Sequence, residues 1–227
     1  MNYYFLLEDE KSLLSVLPEW LEYLNFRSTR VADIKSVKKN HYVLQSGQGV
    51  TQLVTKVLYE TIETIIDNPN KIDKLVIILD TEGMDAQLRK KSVLDKIAER
   101  YDIEKLGFEI KIFVCDCCFE SWLLGGNVIG INEVIDSESL FYSYYKHYDV
   151  SKNDPELMKL PIDCHDTLAK YHFHYLHEMC LYKKLRYRKN NPKLAKKKEY
   201  FDGLMKRIEM TSHLQSFKEF IDFIINE

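Results

Sequence analysis

Asp80 and Glu82 stand two positions apart where the aliphatic run Leu75 to Leu79 stops. If strand geometry persists through them, both side chains leave on the same side, a few ångströms from each other. Carboxylate oxygens are the ligands that magnesium or manganese prefers, so the pair is a candidate cation site. Two further acids occupy comparable places. Glu8 ends the run Tyr3 to Leu7, and Glu120 follows the run Phe108 to Val114 after Cys115-Asp116-Cys117-Cys118-Phe119. Any one of these acids would serve equally well as a helix cap or a solvated loop charge. Together they suggest a site, because the carboxyl ends of parallel strands open on one edge, where ligands of such sheets bind.

The elements that must position these acids follow from periodicity. Leu75 to Leu79 is continuously aliphatic, as in a strand buried on both faces of a parallel sheet. Gly83 permits a turn, and Ala86 to Ala98 carries Leu88, Val93, Leu94 and Ile97 at helical spacing. Tyr3 to Leu7 is followed by a helix over Ser12 to Leu24, and Tyr42 to Leu44 by a glycine-rich turn and a helix over Val50 to Ile66. Four strand and helix pairs predict an α/β fold with a mostly parallel sheet covered by helices over residues 1–130. Residues 131–227 read as a helical extension. It has helices over His165 to Leu185, Lys193 to Ile208 and Leu214 to Ile225, the last presenting Phe217, Phe220, Ile221, Ile224 and Ile225, with Ser212 as a cap near its start. The tyrosine-rich stretch between Ile129 and Asp163 gives no clear period.

A chain of 227 residues is long enough for one large α/β domain, and its net charge of −3 says little because the charges are unevenly placed. Five cysteines, three of them crowded at Cys115, Cys117 and Cys118, do not make a disulfide framework and suggest the reducing cytoplasm. No apolar run approaches a membrane span, and the first residues meet acid too early for a signal peptide.

The order of a glutamate after the first strand (Glu8) and an acidic pair (Asp80-Thr81-Glu82) resembles the Toprim fold of topoisomerases, primases and the OLD-type and RloB-like nucleases. Cys118-Phe119-Glu120-Ser121-Trp122-Leu123-Leu124 is similar to the Phe-Glu-x-Trp-Leu signature of RloB-like Toprim proteins. The resemblance implies that Glu8, Asp80 and Glu82 are catalytic and that Glu8, Asp80, Glu82 and Glu120 bind magnesium or manganese. It implies phosphodiester hydrolysis in DNA or RNA by an effector of bacterial anti-phage defence. The chain departs from the family pattern in having Asp9 where many members have glycine and Glu82 where they have aspartate. The rival expectation is a catalytically degenerate module that binds nucleic acid or a partner protein. A sensor or ATPase partner and a homo-oligomer both stay open.

Between Lys183 and Lys198 the chain carries Lys183, Lys184, Arg186, Arg188, Lys189, Lys193, Lys196, Lys197 and Lys198 with no acid, and Tyr182 and Tyr187 lie among the basic residues. Lysine and arginine give sequence-independent affinity for phosphate, and tyrosines can stack on unpaired bases. A solvated helical face is the plainer alternative. His172, His174, His177 and Cys180, with His165 upstream, lack the local ligand pairs of a zinc finger or ribbon and read as an ordinary helix face. The three clustered cysteines read as small buried hydrophobes. The turn Ser46-Gly47-Gln48-Gly49 offers amides to a phosphate but lacks the Gly-Lys-Ser/Thr of a P-loop.

Overall fold

The computed structural model describes residues 1–9, 11–130 and 132–227. Among them, five parallel strands form one sheet in the order β2-β3-β1-β4-β5. The chain runs β1 (Tyr3–Leu7), α1 (Ser12–Tyr23), β2 (Thr29–Arg30), β3 (His41–Ser46) and α2 (Val50–Gln52). A π-helical turn at Leu53–Val57 then leads into α3 (Leu58–Ile66), β4 (Lys74–Asp80), α4 (Ala86–Ala98) and β5 (Glu109–Cys115). There follow α5 (Phe119–Leu124), α6 (Leu140–His147), α7 (Leu168–Tyr182), α8 (Lys198–Met210) and α9 (Gln215–Asn226). The α/β class with a parallel sheet between helices is therefore the one the periodicity predicts. The additional strand β2 is a two-residue edge piece, too short and too exposed to leave an apolar pattern.

β1 sits between β3 and β4, so the connections leave it in opposite directions and its carboxyl end lies at the reversal of strand order. That is where open α/β sheets bind ligands. The pleat splits each strand between two cores. Tyr3, Phe5, Leu7, Val76 and Ile78 join one apolar cluster with α1 and the helices of the C-terminal part. Tyr4, Leu6, Leu75, Ile77 and Leu79 join a second with α3 and α4. Residues after 131 thus complete one face of the sheet: α9 packs on β5 and α8 on α1.

Helix boundaries differ from the expected ones where the chain finds other hydrogen bonds. The segment before α8 is irregular up to Lys197, because its carbonyls are taken by side chains of α1. Ser12 Oγ donates to Lys189 at 2.9 Å, Trp20 Nε1 to Ala195 at 2.8 Å and Tyr23 OH to Lys196 at 2.6 Å. Ser212 does not cap α9, which starts after Leu214 in a left-handed conformation with no side-chain cap. Only Val93 and Ile97 of the expected stripe on α4 are buried, with Leu88 and Leu94 exposed, and Ile225 of α9 is exposed too. No described helix is long and apolar enough to cross a membrane, and all five cysteines are free.

Candidate metal and phosphate site

β1 and β4 are paired in register up to Leu7 and Ile78, so the residues just beyond them emerge side by side. Glu8 Oε2 accepts a hydrogen bond from the backbone N–H of Asp80 at 3.0 Å. The Asp80 carboxylate accepts one from the N–H of Phe119, at the first turn of α5, at 3.1 Å. One residue on, the buried Glu120 accepts from Tyr187 OH at 2.9 Å and faces Lys189 Nζ at 3.3 Å. Two acids at strand ends and one in the first turn of α5 therefore converge.

Their electrostatics are those of crowded carboxylates. Burial raises the Asp80 pKa well above its ordinary value, Glu8 and Glu120 raise it further, and Lys189 offsets part of this. Burial likewise raises Glu8, against the Asp80 N–H and the Arg89 guanidinium, with Glu82 and Asp9 adding to the rise. Burial pulls the Lys189 pKa down, but the carboxylates of Glu120 and Asp80 outweigh it, leaving the pKa raised.

Glu82 does not join the cluster as expected. The strand ends at Asp80, Glu82 takes a left-handed backbone (φ 53°) and its side chain is exposed. Strand alternation therefore does not carry through the pair, and Glu82 reaches Glu8 only through its field. Nor do three carboxylate oxygens form a ready-made cage. Among the described residues, only Cys117, Cys118 and His172 present three ligand atoms within 4.8 Å of one another. The pleat gives the reason, since Glu8 continues the face of Tyr4 and Leu6 whereas Asp80 continues the face of Val76 and Ile78. The donor set still fits magnesium, which takes one or two carboxylates and fills its octahedron with water and phosphate. Capping claims two other acids: Asp9 accepts from the Ser12 and Leu13 amides at 3.0 and 2.7 Å, and Asp85 from Gln87 and Leu88 at 2.9 and 3.0 Å.

Arg89, which the sequence left in an ordinary run of helical cations, belongs to the site. Its Nε donates to the Asp80 carbonyl at 3.0 Å and its Nη2 lies 3.8 Å from Glu8. That Nη2 is buried and has no hydrogen-bond partner among the described residues. The only advance signal was its place one turn into the helix that follows the acidic pair.

The basic block divides. Lys183 pairs with Glu133 at 2.6 Å, Lys196 with Glu19 at 3.1 Å, Lys198 with Asp202 at 2.7 Å, and Lys189 enters the acidic cluster. Lys184, Arg186, Arg188 and Lys197 are exposed and make no ion pair among the described residues. The tyrosines are not stacking platforms: Tyr187 is buried beneath Glu120, and Tyr182 packs on Phe141 with ring centroids 5.4 Å apart. The glycine turn offers fewer amides than expected. Gly47 and Gly49 donate to the Leu7 and Glu8 carbonyls, and Gln48 to Ser46 Oγ.

Comparison with protein-family models, with curated proteins and with solved structures gives no match. The site is thus read from its own chemistry. Tyr187→Phe removes one of the two groups holding the buried Glu120 and should lower stability by about 1–3 kcal/mol, read as a shifted urea midpoint at unchanged slope.

Proposed function

We propose that the chain is a cytoplasmic, magnesium- or manganese-dependent phosphodiesterase acting on nucleic acid, built as a Toprim-like nuclease of the RloB-like kind. The observation that carries this reading is the meeting of Glu8, Asp80 and Glu120 at the reversal point of a parallel sheet, with Lys189 and Arg89 beside them. When bound, a divalent ion would polarise the scissile phosphate and lower the pKa of an attacking water.

The chain's own residues supply the rest. Glu8 and Asp80 are the ligands, Asp80 oriented by the Phe119 amide and Glu8 by the Asp80 amide and Arg89. The spare Nη2 of Arg89 suits a phosphate oxygen. Lys184, Arg186, Arg188 and Lys197 draw in the polyanion without reading its sequence.

The exposed Glu82 and the lack of a three-oxygen cage favour one rival, a module that binds nucleic acid without cutting it. Cleavage of end-labelled single-stranded DNA, duplex DNA and RNA with added manganese separates the two. Glu8→Ala and Asp80→Ala should each lower the rate at least about a hundredfold. Equal rates in parent and variants, or no cleavage by the parent, leave the binding module.

A further inference from the structure

We propose that Cys117, Cys118 and His172 bind a zinc ion that clamps the turn between β5 and α5 to α7. One ring nitrogen of His172 and the two sulfurs lie within 4.8 Å of one another, and all three residues are buried. Zinc bonds sulfur at about 2.3 Å and imidazole at about 2.0–2.1 Å, so its donors stand roughly 3.5–4 Å apart in a tetrahedron. The trio needs to close in by at most about 1.3 Å to reach that spacing, which side-chain rotation supplies. Two sulfurs and a nitrogen, with no carboxylate among them, select zinc over the hard cations that suit Glu8 and Asp80.

The surroundings are those of a supported metal site. Ser121 Oγ accepts from the Cys117 and Cys118 amides at 3.0 and 3.2 Å, lies 2.8 Å from His172 Nδ1 and 3.7 Å from Cys118 Sγ. One hydroxyl thus orients all three ligands, the role that outer partners play around bound metals. His172 Nε2 is buried and finds no hydrogen-bond partner among the described residues. The ring therefore has more capacity than the protein fills. Binding would release the two thiol protons to solvent. Three protein ligands leave a fourth place for water.

The clamp would brace the acidic site from below. The Cys117 carbonyl accepts from the Glu82 amide at 2.9 Å, and Phe119, next to Cys118, holds Asp80. The inference does not rest on the nuclease reading, since the two sites take different classes of ion.

Elemental analysis of the full chain, purified without chelator, equilibrated with zinc and dialysed, should give about one zinc per chain. Cys117→Ser/Cys118→Ser should lose at least nine-tenths of it. Cobalt(II) soaked into the unaltered protein should produce a thiolate-to-cobalt charge-transfer band, a readout that stands even if the double variant fails to fold. Less than about a tenth of an equivalent of zinc, full zinc in the double variant, or no such band overturns the proposal. Loss of magnesium-dependent cleavage with zinc still bound would instead count against the acidic site.

Discussion

Asp80→Asn should melt about 1–8 °C above the parent in the absence of divalent cation, while losing metal-dependent cleavage. Most substitutions of a buried residue destabilise, so the sign is the test. Asparagine keeps an oxygen to accept from the Phe119 amide and removes a carboxyl that burial, Glu8 and Glu120 all oppose in its charged form. Relieving such a functional site gives about 0.5–2 kcal/mol, and a domain of this size moves some 2–4 °C per kcal/mol. Ten millimolar magnesium should raise the melting point of the parent and leave the variant unchanged, because only the parent gains a ligand for its folded state. A variant that melts lower than the parent would mean that Asp80 is not held against its preference.

The same shifts set a pH dependence. Burial raises Asp80 and Glu8, and it carries Glu156 from an ordinary 4.5 to about 7 against its Ser216 hydrogen bonds. A carboxyl with a raised folded-state pKa leaves the native chain with more bound protons than the unfolded one. Stability is then full below the ordinary carboxylate range and falls as pH climbs toward the folded values. For Glu156 that window runs from pH 4.5 to about 7. Urea midpoints across it should decline, and the share owed to Asp80 should vanish in Asp80→Asn.

Trp122→Ala should cost about 3–5 kcal/mol, the range for emptying a buried aromatic site. Trp122 has no exposed surface, and its ring meets Phe119, Phe217 and Phe220 with centroids 6.2, 5.2 and 6.0 Å apart. Its Nε1 donates to Ser216 Oγ at 2.7 Å, and that hydroxyl donates to Glu156 at 2.5 Å. Alanine would open a cavity where α5, α9 and the sheet meet and would leave Ser216 Oγ with only the longer bond from the Asp116 amide at 3.2 Å. Trp122→Phe retains most ring contacts and loses only that donor, so its urea midpoint should fall between those of parent and alanine variant. An alanine effect below about 1 kcal/mol would mean that α9 is not anchored there.

The sheet was legible because β1 and β4 at its centre are apolar runs that stop at an acid. Glu8, Asp80 and Glu120 could be placed on one edge from that alone. Glu82 was misplaced because spacing of two residues implies a shared side only while the backbone stays extended, and here it turns left-handed. Arg89 was not singled out and Lys189 was read only as a phosphate contact, because each sits in a run of cations and only tertiary approach distinguishes the member that meets an acid. His172 was grouped with His174 and His177, yet the helix directs it inward to Ser121 while His174 meets Asp166 at 3.3 Å and His177 meets Glu178 at 3.1 Å. Its partners at Cys117 and Cys118 lie far away in the chain, beyond any local ligand template.

The segment between α7 and α8 that carries Lys189 across to Glu120 ties the acidic site to a part of the chain remote from it in sequence. Glu8 meets Asp80 through the neighbouring strands β1 and β4, whereas Glu120 depends on Tyr187 and Lys189 for its support. Loss of that segment would strip Glu120 of both its partners while leaving the contact between Glu8 and Asp80.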